Sequence, residues 1–399
     1  MCMKYNFDEI IDRKNTKSIK YDFPNRFGKL DHNNMIPLWI ADMDFRSPPC
    51  VQEAIIKRVN HGIFGYSYTG DDYFRAVSNW MDNQHGWKVE PEWLVIMQGV
   101  LSAISITLTA LTNKDDAILI QYPSYNMFKK VIEETNRNVI KNILVLEDGK
   151  YRIDFDDFED QIVRNNVKLF ILCNPYNPVG RVWTEEELIR IGDICLKHGV
   201  FVISDEIHQD FVYAPHKHLV FANLKPEFKN ITVTCTAPTK TFNIAGLPIS
   251  NIFITNIKLR DKVKEAISKC GHHGVGIIEV LACQAAYLSG EEWLHALLKY
   301  LSENIEYSIN FFRERLPEIE VIKPEGTYLL WLDCRKLGFS GKELEEYLAN
   351  EAHVLLNGAS SAEGFLRINI ACPRATLEKA FSQIEQAIRK LRHEDEIKI

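Results

Sequence analysis

Six short apolar runs constrain this chain more than any other feature: LVIM (94–97), AILI (117–120), KLFILC (168–173), VFVIS (200–204), ITVTC (231–235) and NIFIT (251–255). Their apolar residues follow one another without the alternation of a strand that has one face in water. Each run therefore reads as a strand covered on both faces. Helical patterns separate the runs, and strands alternating with helices over 90–285 predict an α/β fold, a largely parallel sheet flanked by helices.

The texture changes after Cys283. A helical pattern runs from Glu291 to Leu316 and Pro317 stops it. Two strand-like pieces, TYLLWLDC (327–334) and FLRINIAC (365–372), enclose a helix that starts at Gly341, and an amphipathic helix covers 376–392. This is a smaller α+β lobe. Helix starts are legible where a hydroxyl precedes a carboxylate by three residues, at Thr184/Glu187 and Ser340/Glu343, both capping boxes. Ser47-Pro48-Pro49 predicts an N-cap serine ahead of a first-turn proline. A chain of 399 residues exceeds one compact core. It is read as a large domain over 48–285 and a small discontinuous domain built from 1–47 and 286–399.

Charge and composition exclude several classes. With 47 basic against 54 acidic residues the net charge is −7, so no basic face for nucleic acid is expected. The longest apolar stretch, Leu94 to Leu111, is interrupted by Gln98, Gly99 and several Ser/Thr, so no membrane span is expected either. The N-terminus lacks the apolar core of a signal peptide, and nine cysteines without a CxxC pair suit a reducing cytoplasm. No metal is expected: His272-His273 reads as a packed or capped turn. The pairs Asp115-Asp116 and Asp156-Asp157 and the acidic helix start near Glu185 read as solvated surface.

In open α/β sheets ligands bind outside the carboxyl ends of the strands, so the residues after each run carry the functional reading. Gln98-Gly99-Val100 opens a helix and offers bare N–H groups to an anion, although a glycine there is also an ordinary turn residue. Tyr122 and Tyr125 can stack on a planar ligand or simply pack. Two Asn-Pro steps in Asn174–Arg181 hold asparagine amides rigidly. Asp205 ends an apolar strand, where a carboxylate is costly unless paired, with a helix N-cap as the plainer reading. Lys240 sits among small and apolar residues, and burial lowers a lysine's pKa and makes it a Schiff-base nucleophile. An anion cradle, an aromatic platform, an amide, a carboxylate and a desolvated lysine match the phosphate, ring, phenolic oxygen, pyridine nitrogen and aldehyde of pyridoxal 5′-phosphate (PLP).

The series GVLSA, PSY, NPYNPVGR, SDEIH, PTKTFNIAGL and LRINIACPR resembles fold-type I PLP enzymes of the class I/II aminotransferase superfamily, with the aspartate aminotransferase-like fold. WIADMDF (39–45) and GYSYTG (65–70) narrow the resemblance to the MalY/PatB group of cystathionine β-lyases, also called cysteine-S-conjugate β-lyases. The resemblance spans nearly the whole chain and implies roles. Lys240 would bond to the cofactor aldehyde and then shuttle the Cα proton. Asp205 would pair with the pyridine nitrogen, Asn177 would bond the phenolic oxygen with His208 nearby, and Tyr125 would stack on the ring. Gly99, Val100 and Thr239 would hold the phosphate. Arg367 would take the substrate α-carboxylate, beside Trp39 and Ala41. Tyr66 resembles a tyrosine that reaches the phosphate of a neighbouring subunit, which implies a homodimer with shared sites.

Three departures stand out. Pro248 occupies the position, eight residues after the lysine, where many aminotransferases carry a phosphate-binding arginine; His208 replaces a frequent tyrosine; and 356–364 is short relative to the usual loop. The resemblance implies a C–S lyase that releases a thiol, pyruvate and ammonia from cystathionine or another cysteine conjugate. An aminotransferase on the same scaffold is the alternative, and a PLP-binding regulatory protein with reduced chemistry is the third reading.

Overall fold

One seven-stranded sheet gathers the apolar runs. Its strands are Leu94–Met97, Ala117–Tyr122, Asn138–Ile143, Leu169–Cys173, Phe201–Asp205, Thr232–Thr236 and Ser250–Phe253. They are seen in a computed structural model that describes residues 5–22, 34–271, 274–358 and 362–396. Across the sheet the order is Leu94–Met97, Ser250–Phe253, Thr232–Thr236, Phe201–Asp205, Leu169–Cys173, Ala117–Tyr122, Asn138–Ile143. Ser250–Phe253 runs antiparallel to both of its neighbours, and the remaining pairings are parallel.

Burial explains the unbroken apolar runs. Every residue of Leu169–Cys173 and of Thr232–Thr236 is buried, because helices such as Val100–Leu111 cover the sheet. The edge strand Asn138–Ile143 mixes exposed and partly buried positions, and its one buried residue is the polar Asn142, so no apolar run announces it. The hairpin of Val145–Glu147 with Lys150–Arg152 is likewise too short and polar to read from sequence.

The small lobe carries an antiparallel sheet in the order Glu320–Ile322, Leu329–Asp333, Phe365–Asn369. The helices Glu291–Arg315, Gly341–Glu351 and Arg374–Glu396 accompany it, each close to its expected span. The N-terminal strand Ile36–Pro37 pairs in parallel with Val354–Leu355, which ties the chain's beginning to its end. Asn369 Nδ2 strengthens that tie by donating to the carbonyls of Ile40 and Asp42.

Both capping boxes form, with Thr184 and Ser340 exchanging bonds with Glu187 and Glu343. The Ser47 cap is corrected. Pro48 occupies the N-cap position of Pro49–His61, and the Ser47 hydroxyl donates instead to the Asn243 carbonyl at 3.0 Å. Asp157 is also corrected: it is half-buried and accepts from Asn142 Nδ2 at 2.8 Å and from Gln161. His272-His273, residues 359–361 of the short loop and the last three residues lie outside the described residues. Among those described, no helix is long and apolar enough to cross a membrane.

Candidate active site

The carboxyl ends of four parallel strands and the crossing Phe365–Asn369 strand converge on a cavity of about 440 Å³. Its lining includes Trp39, Ala41, Gly99, Val100, Tyr125, Asn177, Asp205, His208, Thr239, Lys240 and Arg367. Eleven of the twelve residues singled out from the sequence thus meet at one place. The twelfth, Tyr66, is fully exposed and does not line this cavity within its own chain.

Each wall follows from local sequence. Gly99 takes φ +83°, a left-handed conformation that lets the chain turn from Leu94–Met97 into Val100–Leu111. The first N–H groups of that helix therefore face the cavity without a side chain between them and a ligand. Asn177 sits in a turn closed by Tyr176 N–H to the Arg181 carbonyl and by Gly180 N–H to the Tyr176 carbonyl. Its Oδ1 accepts from Arg367 Nη1 at 3.1 Å, and Arg367 Nη2 donates to the Trp39 carbonyl at the same distance. The guanidinium is thereby held in plane at the cavity wall.

Lys240 belongs to the four-residue turn Pro238–Thr241, just past Thr232–Thr236. Its Nζ donates to the Ala41 carbonyl at 2.5 Å, and Tyr328 donates its hydroxyl to the same oxygen. Burial, aided by the field of Arg367 and opposed by Asp42 and Asp205, brings the amine down to about 8. Asp205 accepts from the Ile207 N–H at 3.1 Å, and no cationic side chain among the described residues pairs with it. Burial pushes its carboxyl up to about 7. The His208 ring is buried against Tyr328, its Nδ1 has no hydrogen-bond partner among the described residues, and burial lowers it to about 3, so it is neutral at physiological pH. Burial raises the Tyr125 phenol, which keeps that ring neutral as well.

These features fit PLP. A buried carboxyl without a cation suits a ligand nitrogen that carries a proton. A nucleophilic amine poised near neutrality suits an aldehyde. An open helix N-terminus suits a phosphate. A second cavity, about 490 Å³, lies on the seam between the lobes and is lined by Lys150, Arg181, Tyr213, His216, Glu306 and Glu325 among others. There the charges neutralise one another: Glu325 takes Arg181 at 2.9 Å and Lys150 at 2.8 Å. That cavity offers no comparable set of reactive groups.

Sequence reading missed the supports. Asp42 and Asp44 bind Arg13 and the buried Lys20, with Arg13–Asp44 at 2.7 Å and Lys20–Asp44 at 2.8 Å. This ion cluster fixes the segment whose carbonyls receive Lys240 and Arg367. The WIADMDF segment carried the signal, but Lys20 has no local mark that pairs it with Asp44.

Comparison with known proteins agrees with the geometry. The family model "Aminotransferase class I and II" matches residues 33–384. Cystathionine beta-lyase PatB of Bacillus subtilis is 41% identical over 96% of this chain and 100% of its own length. Protein MalY of Escherichia coli is 33% identical over 97% and 100%. The crystal structure of cystalysin from Treponema denticola, which contains a pyridoxal 5′-phosphate cofactor, superposes with a TM-score of 0.93 at 33% identity, covering 98% of this chain and 100% of that one.

Proposed function

From the premise that this chain belongs to the class I and II aminotransferase family, we propose that it is a PLP-dependent C–S β-lyase. The substrates are L-cystathionine or a related cysteine conjugate together with one water, which hydrolyses the unsaturated amine left after the thiol departs, and the products are a thiol, pyruvate and ammonia. One observation carries the cofactor part: Lys240, Asp205, Asn177 and Arg367 line a single cavity whose amine and carboxyl are both displaced toward neutrality. The identity to PatB and MalY carries the choice of reaction.

The residues divide the work. Gly99 and Val100 present N–H groups to the phosphate, with the Thr239 hydroxyl beside them. Tyr125 covers one face of the ring, and Asn177 donates to the phenolic oxygen, with His208 neutral nearby. Bound PLP supplies the electron sink for the pair left at Cα. Asp205 would hold a proton at the pyridine nitrogen, accepting from it through its own ionised carboxylate. Arg367 grips the α-carboxylate in a two-pronged contact, positioned by Asn177 and the Trp39 carbonyl. Lys240 takes the Cα proton at its Nζ, and the Cβ–S bond breaks as thiolate leaves.

Residues 48–285 form the cofactor-binding domain in this reading, with 1–47 and 286–399 as the other. The large sheet within 94–253 and the small sheet within 320–369 support that division. The chain acts as a homodimer in which Tyr66 reaches the neighbouring copy's phosphate. Support comes from the exposed apolar segment around it, Ile63, Phe64 and Tyr68. A cytoplasmic setting is supported by the free state of every described cysteine.

The test is a substrate panel on purified, PLP-loaded protein. Pyruvate and homocysteine from L-cystathionine, or pyruvate and thiol from another cysteine conjugate, are expected without added 2-oxo acid. Turnover that depends on a 2-oxo acid, with no pyruvate from any conjugate, would overturn the lyase in favour of an aminotransferase.

A further inference from the structure

Beside the lysine cavity lies a buried polar core whose residues form no part of the cavity's lining. Asp210 is its centre, and its side chain is almost wholly shielded. One carboxylate oxygen accepts from Trp80 Nε1 at 3.2 Å and faces His85 Nε2 at 2.9 Å. The other accepts from the Thr241 hydroxyl at 2.5 Å. The His85 ring meets His218 edge-on at 5.3 Å, and His218 Nε2 lies 2.9 Å from Glu206, which also accepts from Ser204 and the Phe221 N–H. None of these residues lines the cavity. Yet Thr241 follows Lys240 in the chain, and Glu206 follows Asp205.

A four-residue helical turn has almost no stability of its own, so outside anchors fix the direction in which Lys240 leaves it. Two anchors are present. Downstream, Asn243 Nδ2 donates to the Met43 and Phe45 carbonyls and its Oδ1 accepts from the Met43 N–H. Immediately adjacent, Thr241 is bonded to Asp210, and Phe242 packs edge-on against Trp80 at 5.4 Å. A buried carboxylate is expensive to maintain and is not needed merely to fill space.

We propose that Asp210 is a positioning residue for Lys240, holding the turn that presents the amine through the hydroxyl of Thr241. The role rests on the reading that Lys240 bonds PLP. Asp210 itself contacts neither cofactor nor substrate. Trp80 and His85, from the end of helix Asp71–His85, keep the carboxylate from rotating away.

The test compares Thr241→Val, Thr241→Ser and Asp210→Asn with the wild-type chain, each freed of PLP and confirmed folded by circular dichroism. The first measurement is the rate of PLP capture by apoprotein, followed as the visible band of lysine-linked cofactor. The second is kcat and KM after loading. Thr241→Val slows both capture and kcat roughly tenfold because a small displacement of the amine suffices, while KM stays within about twofold. Thr241→Ser, which keeps the hydroxyl, restores both rates. Asp210→Asn, which removes the charge and offers one acceptor oxygen where the carboxylate offered two, weakens the hold on Thr241, moves both rates in the same direction and serves alone if Thr241→Val does not fold. Capture and kcat at wild-type values in the folded variants, with only the melting temperature lowered, would overturn the positioning role. A wild-type chain that captures no PLP overturns the cofactor reading and the positioning role with it.

Discussion

Two cavities of similar size open between the same two lobes, and their charges are arranged in opposite ways. In the lysine cavity, Lys240 and Asp205 face a common space and do not pair. Burial drives both toward their neutral forms, the amine to about 8 and the carboxyl to about 7. In the seam cavity, Arg181 is shared between Glu325 and Glu187, and Lys150 holds the other oxygen of Glu325. These bonds keep the Glu325 carboxyl below its usual range. Charge that is neutralised by its neighbours fastens the lobes. Charge that is left desolvated and separated waits for a ligand. Volume alone does not separate the two cases.

Deleting the central group of each cavity tests that distinction. Lys240→Ala removes the nucleophile and the proton shuttle together, so turnover falls by roughly 10⁴-fold or more while the thermal midpoint holds. A melting temperature that collapses with it would make Lys240 a structural residue like Arg181. Glu325→Gln should do the reverse. It leaves the buried Arg181 short of one charge and turns an amide NH2 toward the Lys150 ammonium, which costs about 3 kcal/mol of stability with kcat unchanged. Chemical denaturation and steady-state kinetics on the same preparation read both. Lost turnover at full stability would merge the two cavities into one functional unit.

The contrast also explains what the sequence made legible. Gly99, Asn177, Asp205 and Lys240 stand directly after apolar runs, and a parallel sheet necessarily brings such positions to one edge. Arg367 lies in an apolar strand, where a guanidinium is conspicuous. The supports carried no such mark. Asp210 meets His85 across 125 residues of chain, and Lys20 meets Asp44 with neither set in a periodic pattern. Pairings of that kind are products of tertiary packing and have no local spacing to betray them. The edge strand Asn138–Ile143 escaped because exposure lets it be polar. Ser47 misled because a prolyl residue took the cap and freed its hydroxyl for the loop that follows Lys240.

Arg367 sharpens the comparison within the lysine cavity, since two neutral acceptors, Asn177 Oδ1 and the Trp39 carbonyl, already hold its guanidinium. Arg367→Lys keeps the charge but loses the fork, so the α-carboxylate makes one contact where it had two. KM for the amino-acid substrate rises roughly tenfold to a hundredfold, and kcat falls less. An unchanged KM would mean that the carboxylate binds elsewhere.

The smallest effect is a pH dependence, and its sign follows from which form reacts. Only the neutral amine of Lys240 attacks an aldehyde, and burial has brought its titration down from 10.5 to about 8. Capture of PLP by the apoprotein therefore speeds up with pH, by about tenfold per unit well below 8, and levels off above it. A free surface lysine would keep gaining through pH 10. Asp205 titrates nearby, and its ionised form holds the Lys240 proton in place. Replacing it by asparagine withdraws that support, so the break in the capture profile moves to lower pH in Asp205→Asn. A break that stays put, or that moves upward, would show that the two groups do not share one desolvated space.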